Sequence, residues 1–421
     1  MKRVGLVIVE ERRIDLLKVL ARRASVELDL PYQPGDGQPE LERASKAAIV
    51  SGPVAGWVGW TPTRELPELT KELNSLGAAV VPLASPRGVE PPTLLVGSGK
   101  ARMSRTLVDT YGTVPYADVD PSRIAGVIYV FMFGMMFGDV GHGAILVLAG
   151  LLLRSKHFKK LAKLTKMWPF VVGAGFTSMI FGALYGEAFG PTGLVPTLWL
   201  NPMTNPTRLL MIAVFFGVAL LGGSYVIGSI NRVREGGWAY ALYANTGLAG
   251  SMLFLGLALL VWAIVSGRAV LLVIATILIS IALILIFIGF FVDAGGGPTG
   301  AFQAVIELVD SVIGLGSNVV SFARLAAFGM THAALLSVVW NGTKGLWAPN
   351  WHAVLAILLF IVGNVLTFAL EALVAGIQAL RLEYYELFSR IFQSEGRPFH
   401  PWSPVLTPET QPDNPSERHQ P

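Results

Sequence analysis

After residue 122 the chain runs into uncharged apolar stretches too long for an ordinary soluble fold. Residues 167–186 read MWPFVVGAGFTSMIFGALYG and residues 209–230 read LLMIAVFFGVALLGGSYVIGSI, with no charged side chain in either. Residues 239–267 and 269–292 form a similar pair around Arg268. A helix needs roughly 20 apolar residues to cross a hydrocarbon core of about 30 Å. Lipid leaves backbone polar groups to be satisfied within helices or closed barrels. Residues 122–393 therefore read as an α-helical membrane domain. Charged residues make up 14% of the 421 and hydrophobic ones 53%, against roughly 25% charged in soluble domains. Cysteine is absent, which excludes disulfides, thiol catalysis and cysteine-bound metal.

Two shorter runs, 124–137 and 144–153, flank GDVGHG. They fit a tight hairpin of two helices or one broken helix, and charge favours the hairpin. Lysine and arginine concentrate on the cytoplasmic side. The segment 154–166 carries six of them, 231–237 carries two and 187–207 carries none. Two passes before residue 154, from a cytoplasmic N-terminus, put both basic segments inside. The opening MKRVGLVIVEERR has too short an apolar run for a signal-peptide core. The expectation is a multi-pass protein of the cell membrane with about eight transmembrane helices and both termini cytoplasmic. The last two spans, 303–340 and 351–392, are each about 60 Å long at 1.5 Å per residue, so they must tilt or project.

Residues 1–121 read as a small N-terminal α/β cytoplasmic domain. RVGLVIV, SVELDL and AAVVPLA have strand patterns, and EERRIDLLKVLARRA and TPTRELPELTKELNSLG have helical spacing. KAAIVSGPVAGWVGW reads as one strand, and the Pro- and Gly-rich stretch near 31–45 as a linker. Two strand–helix–strand units packed into one sandwich are expected. Residues 394–421 read as a cytoplasmic tail, disordered beyond Trp402.

The stretch 317–340, SNVVSFARLAAFGMTHAALLSVVW, has one formal charge, Arg324. Such a charge costs on the order of 2.5–3.5 kcal/mol at a membrane-helix centre, so it needs a partner or water. Ser321, Arg324, Phe328 and His332 share a broad stripe. In the last span Gln378 sits about 20° and Arg381 about 80° from Glu371 on a helical wheel. Two readings stay open: an ion pair that holds two helices together, and an ion path, the default for intramembrane ionisable groups. Arginine stays protonated and acts as a fixed barrier; glutamate and histidine can carry protons.

At these residues the chain resembles the large membrane subunit of rotary V/A-type ATPases, called subunit a or subunit I. The resemblance runs in order through DTYGTVPYADVDPS (109–122), FMFGMMFGDVGHG (131–143), FGALYGEAFG (181–190), SNVVSFARLAAFGMTHAALLS (317–337) and ALEALVAGIQALRLEYYELFSRIFQSEGRPFHPW (369–402). It implies a non-catalytic stator subunit whose two aqueous half-channels meet a proteolipid c-ring. Arg324 takes the role of the essential arginine, Arg381 that of the second arginine, and Glu371 and His332 match half-channel residues. Gln378 is added from its helical face. Asp139, His142 and Glu187 read as helix-end caps or packing groups, and Ser321 as a polar neighbour of Arg324. The implied partners are the c-ring, central-stalk and peripheral-stalk subunits, and the lipid membrane. The family normally carries a long coiled-coil hairpin and a distal lobe where this chain has its linker, which puts ordinary stalk attachment in question.

Other signals are weak. GSGK at 97–100 lacks the Gly and Ser/Thr of a phosphate-binding loop, since Leu94 and Ala101 stand there. The six histidines show no metal-ligand spacing. No nucleotide, cofactor, metal or nucleic acid is expected. A secondary ion transporter and a non-translocating scaffold paralogue are the competing readings; the internal repeat that transporters often show is not evident.

Overall fold

The computed structural model describes residues 1–32, 34, 38–84, 89–94, 107–108, 110–154, 167–392 and 396–404. The basic segment 155–166, GSGK at 97–100 and the tail beyond 404 lie outside the described residues. The chain divides into two compact units.

The first unit is a sheet with helices. Strand β1 (Lys2–Val9) alternates so that Val4, Leu6 and Ile8 are buried at 0–2% exposure. It pairs antiparallel with β4 (Val54–Thr61) on one side, from Lys2↔Thr61 to Val9↔Val54, and with β5 (Ala79–Leu83) on the other. The short β2 (Glu27–Leu28) adds to the far side of β4, giving the order β2-β4-β1-β5. Helices α1 (Arg13–Arg23) and α3 (Leu66–Ser75) supply Leu16, Leu17, Leu20, Leu69 and Leu73 to the same core. This is the split β-α-β arrangement, and the expected pair of strand–helix–strand units is present.

Three local features differ from the sequence reading. The segment expected as one strand is a hairpin, in which β3 (Ile49–Ser51) turns onto β4 through Gly52 at φ +59°. The expected linker holds a helix, α2 (Gln38–Lys46). Leu41, Ala44 and Ser45 fall on one helical face and are buried at 0–4% exposure, which offsets the poor helical signal of the Pro- and Gly-rich flank. Residues 396–404 also belong to this unit. Trp402 is 2% exposed within the core cluster. Its backbone N–H donates to the Val26 carbonyl at 2.8 Å, and its Nε1 donates to Glu40 Oε1 at 3.1 Å. Arg397 pairs with Glu27, and the His400 N–H donates to the same carboxylate at 2.8 Å. The Tyr32 hydroxyl also donates to Glu40; burial and then the Glu40 charge push that phenol up to about 12.

The second unit is helical. It comprises α4 (Ser122–Met136), α5 (Val140–Arg154), α6 (Trp168–Tyr185), α7 (Pro206–Tyr243), α8 (Leu248–Ser266), α9 (Ala269–Asp293), α10 (Gly297–Ser321), α11 (Ala323–Leu346) and α12 (His352–Arg381). Among the described residues, six spans are long and apolar enough to cross a membrane, α10 and α11 counting as one, while α4 and α5 are shorter. The two short helices form the expected hairpin, splayed around α6. Along α4, Val130 lies by Gly173 and Gly134 by Thr177, so α4 runs parallel to α6; along α5, Gly143 faces Gly175 and Gly150 faces Val172, so α5 runs antiparallel. A Cβ on Gly143 would sit 2.7 Å from the Gly175 carbonyl oxygen, the close approach that small residues permit between membrane helices. Lipid-type exposure marks the outside: α9 presents Val270, Val273, Ile277, Ile281 and Ile284 in a stripe.

The segment 231–237, read as a basic loop, continues α7 as far as a break at Gly237 (φ 78°, ψ −175°). Arg232 is 1% exposed and pairs with Glu235 at 2.5 Å; this neutralising partner one turn away lets the arginine leave water. Asn231 donates to the Ile391 carbonyl at 3.1 Å and fastens the end of the last helix to α7. The α10–α11 span tightens at Phe322, where Phe322 N–H bonds to Val319 and Leu325 N–H to Phe322, both i→i−3. The Phe322 ring is fully buried against Gly217, where a Cβ would meet its Cγ at 2.3 Å. Helix α12 runs on through a π-wound segment, Leu382–Phe388, into α13 (Ser389–Ile391).

Candidate ion-translocation site

Two polar clusters lie along α11 and α12. The first begins at the GDVGHG turn. Asp139 is fully buried and caps α5: its Oδ1 accepts from His142 N–H at 2.8 Å and Phe189 N–H at 3.0 Å, and its Oδ2 from Gly190 N–H at 2.9 Å. This cap holds Phe189 at φ +52° and fixes the start of α5, so that the fully buried His142 reaches Asn364 Oδ1 on α12 with its Nε2 at 3.1 Å. From α11, His332 extends Nδ1 to the Glu371 carboxylate of α12 in a short hydrogen-bonded contact. The two imidazole centroids are 5.6 Å apart, walled by Phe137, Phe189 and Phe368. Glu187, 2% exposed, lies within electrostatic reach of Asp139 and Glu371. Asp139 thus caps the N-terminus of α5. Asp139, His142 and Glu187 also join His332 and Glu371 in one cluster.

The second cluster lies eight residues back along α11, about 12 Å at the helical rise. Arg324 is half-buried, and its Nη1 is buried with no hydrogen-bond partner. No carboxylate among the described residues reaches salt-bridge distance of it. The exposed Arg381 repels it electrostatically, and Glu386, 4% exposed and adjoining Ser321, lies in reach of both arginines. Ser321 Oγ donates to the Ser317 carbonyl at 3.0 Å. Gln378 lies between the clusters along α12, with its Oε1 buried and unpartnered. Glu371 pairs with His332 and with neither arginine, so the intrahelical face it shares with Arg381 does not become an ion pair.

Glu383 and Glu386 escape the sequence reading. Glu383 is fully buried, with neither carboxylate oxygen hydrogen-bonded, and lies in electrostatic reach of Tyr129. The signal was the pair of acids in LEYYELF directly after Arg381. An α-helix would turn Glu386 about 140° away from Arg381; the wider i→i+5 winding of the π segment brings it back. Such bulges recur at functional sites.

Removal of the Asp139 carboxylate tests the architecture of the first cluster. Asp139→Ala strands three backbone N–H groups, each costing about 1–3 kcal/mol when buried without an acceptor. The expected result is a clear fall in the melting temperature of the purified chain in detergent. Asp139→Asn, which keeps an acceptor oxygen, should lose less; equal melting of Asp139→Ala and the parent would show that the cap contributes nothing.

Six spans long and apolar enough to cross a membrane, with an acidic, histidine-bearing cluster and an arginine cluster along two of them, are features of a membrane protein. The sequence profile of the V-type ATPase 116kDa subunit family matches residues 51–208. The chain is 28% identical over 364 residues to an A-type ATP synthase subunit I of Pyrococcus horikoshii, covering 83% of this chain and 53% of that protein. It is 26% identical over 437 residues to the A-type ATP synthase subunit I of Methanocaldococcus jannaschii, covering 92% of this chain and 60% of that one. The chain is thus similar to the V-type ATPase 116kDa subunit family over residues 51–208, and to A-type ATP synthase subunits I over most of its length. It spans about half the length of the curated relatives it matches, with 53% of the Pyrococcus horikoshii and Thermococcus kodakarensis proteins covered.

Proposed function

We propose that the chain is the stator membrane subunit of a rotary V/A-type ATPase, and that its two polar clusters belong to two proton half-channels facing a proteolipid ring. Arg324 is the fixed cation between them. The observation that carries this reading is Arg324 itself: a half-buried guanidinium with an unpartnered Nη1 and no carboxylate at salt-bridge distance among the described residues. A membrane cation in that condition calls for water or a further anion beyond Glu386, and an anion carried by a second protein meets that need. A carboxylate that arrives beside Arg324 is stabilised in its ionised form. To leave for lipid it must first take up a proton. Arg381 adds positive potential beside that point, and Gln378 offers an acceptor along the path.

With both termini cytoplasmic, the GDVGHG turn, the 187–207 segment and the α11–α12 turn lie on the outer side. The Asp139–His142–His332–Glu371 cluster with Glu187 then serves the outer half-channel, while Glu383 and Glu386 serve the cytoplasmic one. Transfer of one charge between the two sides is worth about 2.3 kcal/mol per 100 mV. The short α2 stands where the family carries its long arm, so peripheral-stalk subunits must engage the stator through other surfaces; central-stalk subunits turn with the ring.

Cysteine is absent from the chain, so single-cysteine cross-linking tests the ring contact without background. Ala327→Cys and Thr331→Cys place thiols on the exposed face of α11. Each should cross-link, in membranes of the assembled complex, to a proteolipid with a cysteine beside its membrane carboxylate. Cross-linking no stronger than that of Val273→Cys on α9 would sink the assignment of this face to the ring.

A further inference from the structure

The hydrogen bonds around His142 and His332 determine which ring nitrogens carry protons. Asn364 commits its Nδ2 to the Phe360 carbonyl at 2.9 Å, so its Oδ1 faces His142 and the His142 Nε2 must donate. His142 Nδ1 is then a bare lone pair. The Glu371 carboxylate takes the Nδ1 proton of His332, so His332 Nε2 is a bare lone pair too. Both nitrogens are buried and have no hydrogen-bond partner, on side chains 0% and 1% exposed. Asp139 has accepted three N–H groups, which leaves one of its roughly four lone-pair sites. One ligand atom from each of Asp139, His142 and His332 falls within 4.8 Å of the others.

Among the described residues this pocket presents acceptors and no donor. Acidic side chains also crowd it: Glu187 lies within electrostatic reach of both Asp139 and Glu371, and no lysine or arginine among the described residues pairs with any of the three. A water could donate to two of these three lone pairs and would leave the third unmatched. We propose that Asp139, His142 and His332 form a binding site for a divalent transition-metal ion of the Zn²⁺ type. Two imidazoles and one carboxylate are a donor set for zinc and its neighbours, whereas Mg²⁺ and Ca²⁺ favour all-oxygen shells. Metal-bound histidines characteristically give their second N–H to a carboxylate or carbonyl. Here Glu371 and the Asn364 amide oxygen hold those positions. A fourth position is left for water. The site does not depend on the proposed ion path, although a bound cation at His332 would compete there with protons.

The test uses the full chain, purified in detergent, stripped of metal and titrated with Co²⁺ by absorbance and with Zn²⁺ by calorimetry. The expected result is one Co²⁺ per chain with the visible bands of tetrahedral nitrogen/oxygen coordination, displaced by Zn²⁺ and not by Mg²⁺. His142→Ala and His332→Ala should each abolish these bands. Glu371→Gln, which replaces the outer carboxylate by a neutral amide and leaves the three ligands in place, should weaken binding by about 10-fold or more. His352→Ala, a histidine outside the cluster, should bind like the parent. If His142→Ala does not fold, His142→Gln retains a donor to Asn364 and replaces it. The proposal fails if the parent binds Zn²⁺ no better at micromolar concentration than the His142→Ala/His332→Ala double variant. It also fails if both single variants bind unchanged, or if Mg²⁺ displaces Co²⁺ equally well. These readouts measure metal, not pumping, so they stand or fall separately from the assignment of the proton path.

Discussion

If Arg324 is the proposed fixed cation, Arg324→Ala should eliminate ATP-driven proton pumping by the assembled complex in reconstituted vesicles, while the complex still assembles. The size of the effect follows from the charge. A cation about 4 Å from a carboxylate, at an effective dielectric near 20, favours the ionised form by about 4 kcal/mol, close to three decades of a protonation equilibrium. On the proposed reading, a ring carboxylate would without it pass the point between the half-channels still protonated, and protons would leak across. Arg324→Lys keeps a charge but loses the rigid fork, and lysine sheds its proton more readily away from water, so it should restore little. A pH-sensitive dye in the vesicle lumen measures both pumping and leak. Pumping that survives Arg324→Ala would overturn the barrier role.

Trp402→Ala opens the N-terminal unit. Trp402 is 2% exposed in a core that also holds Val4, Leu6 and Leu41. Large-to-small changes at buried tryptophans cost about 3–5 kcal/mol. Here the loss also removes the indole N–H that Glu40, itself 1% exposed, accepts. Hydrogen exchange on the full chain should show amides of β1 and β4 exchanging about 10²–10³-fold faster, the same free energy on a scale of 1.4 kcal/mol per decade. Exchange in the helical unit serves as the internal reference. Trp402→Phe keeps an aromatic ring and much of the buried volume but loses the bond to Glu40, so it should fall between. Unchanged exchange in β1 would mean that the 396–404 segment merely rests on the surface.

Different physical signals had different reach. The membrane helices were legible because lipid admits few alternatives to long uncharged runs, and the GDVGHG hairpin because basic segments are partitioned by side. The strands of the N-terminal unit showed their alternation. The helix α2 did not show itself: its flank is rich in Pro and Gly, and only burial of Leu41 and Ala44 selects a helix there. Arg232 looked like a loop charge because its neutralisation by Glu235 depends on where the helix ends.

The candidate site divides in the same way. The sequence by itself determined that charged groups sit inside membrane helices, since residue type and helical period suffice to place Arg324, His332, Glu371, Gln378 and Arg381 on two adjacent spans. Only the tertiary structure decided their partners. Period sets a residue's angle on its own helix but says nothing of the rotation of the neighbouring helix. Glu371 therefore meets His332 instead of an arginine, and His142, 190 residues from His332 in the chain, stands with its ring 5.6 Å away. The π winding that returns Glu386 to the arginines is likewise visible only in the folded chain. Trp402 reads as part of a polar tail until the fold supplies the core that buries it.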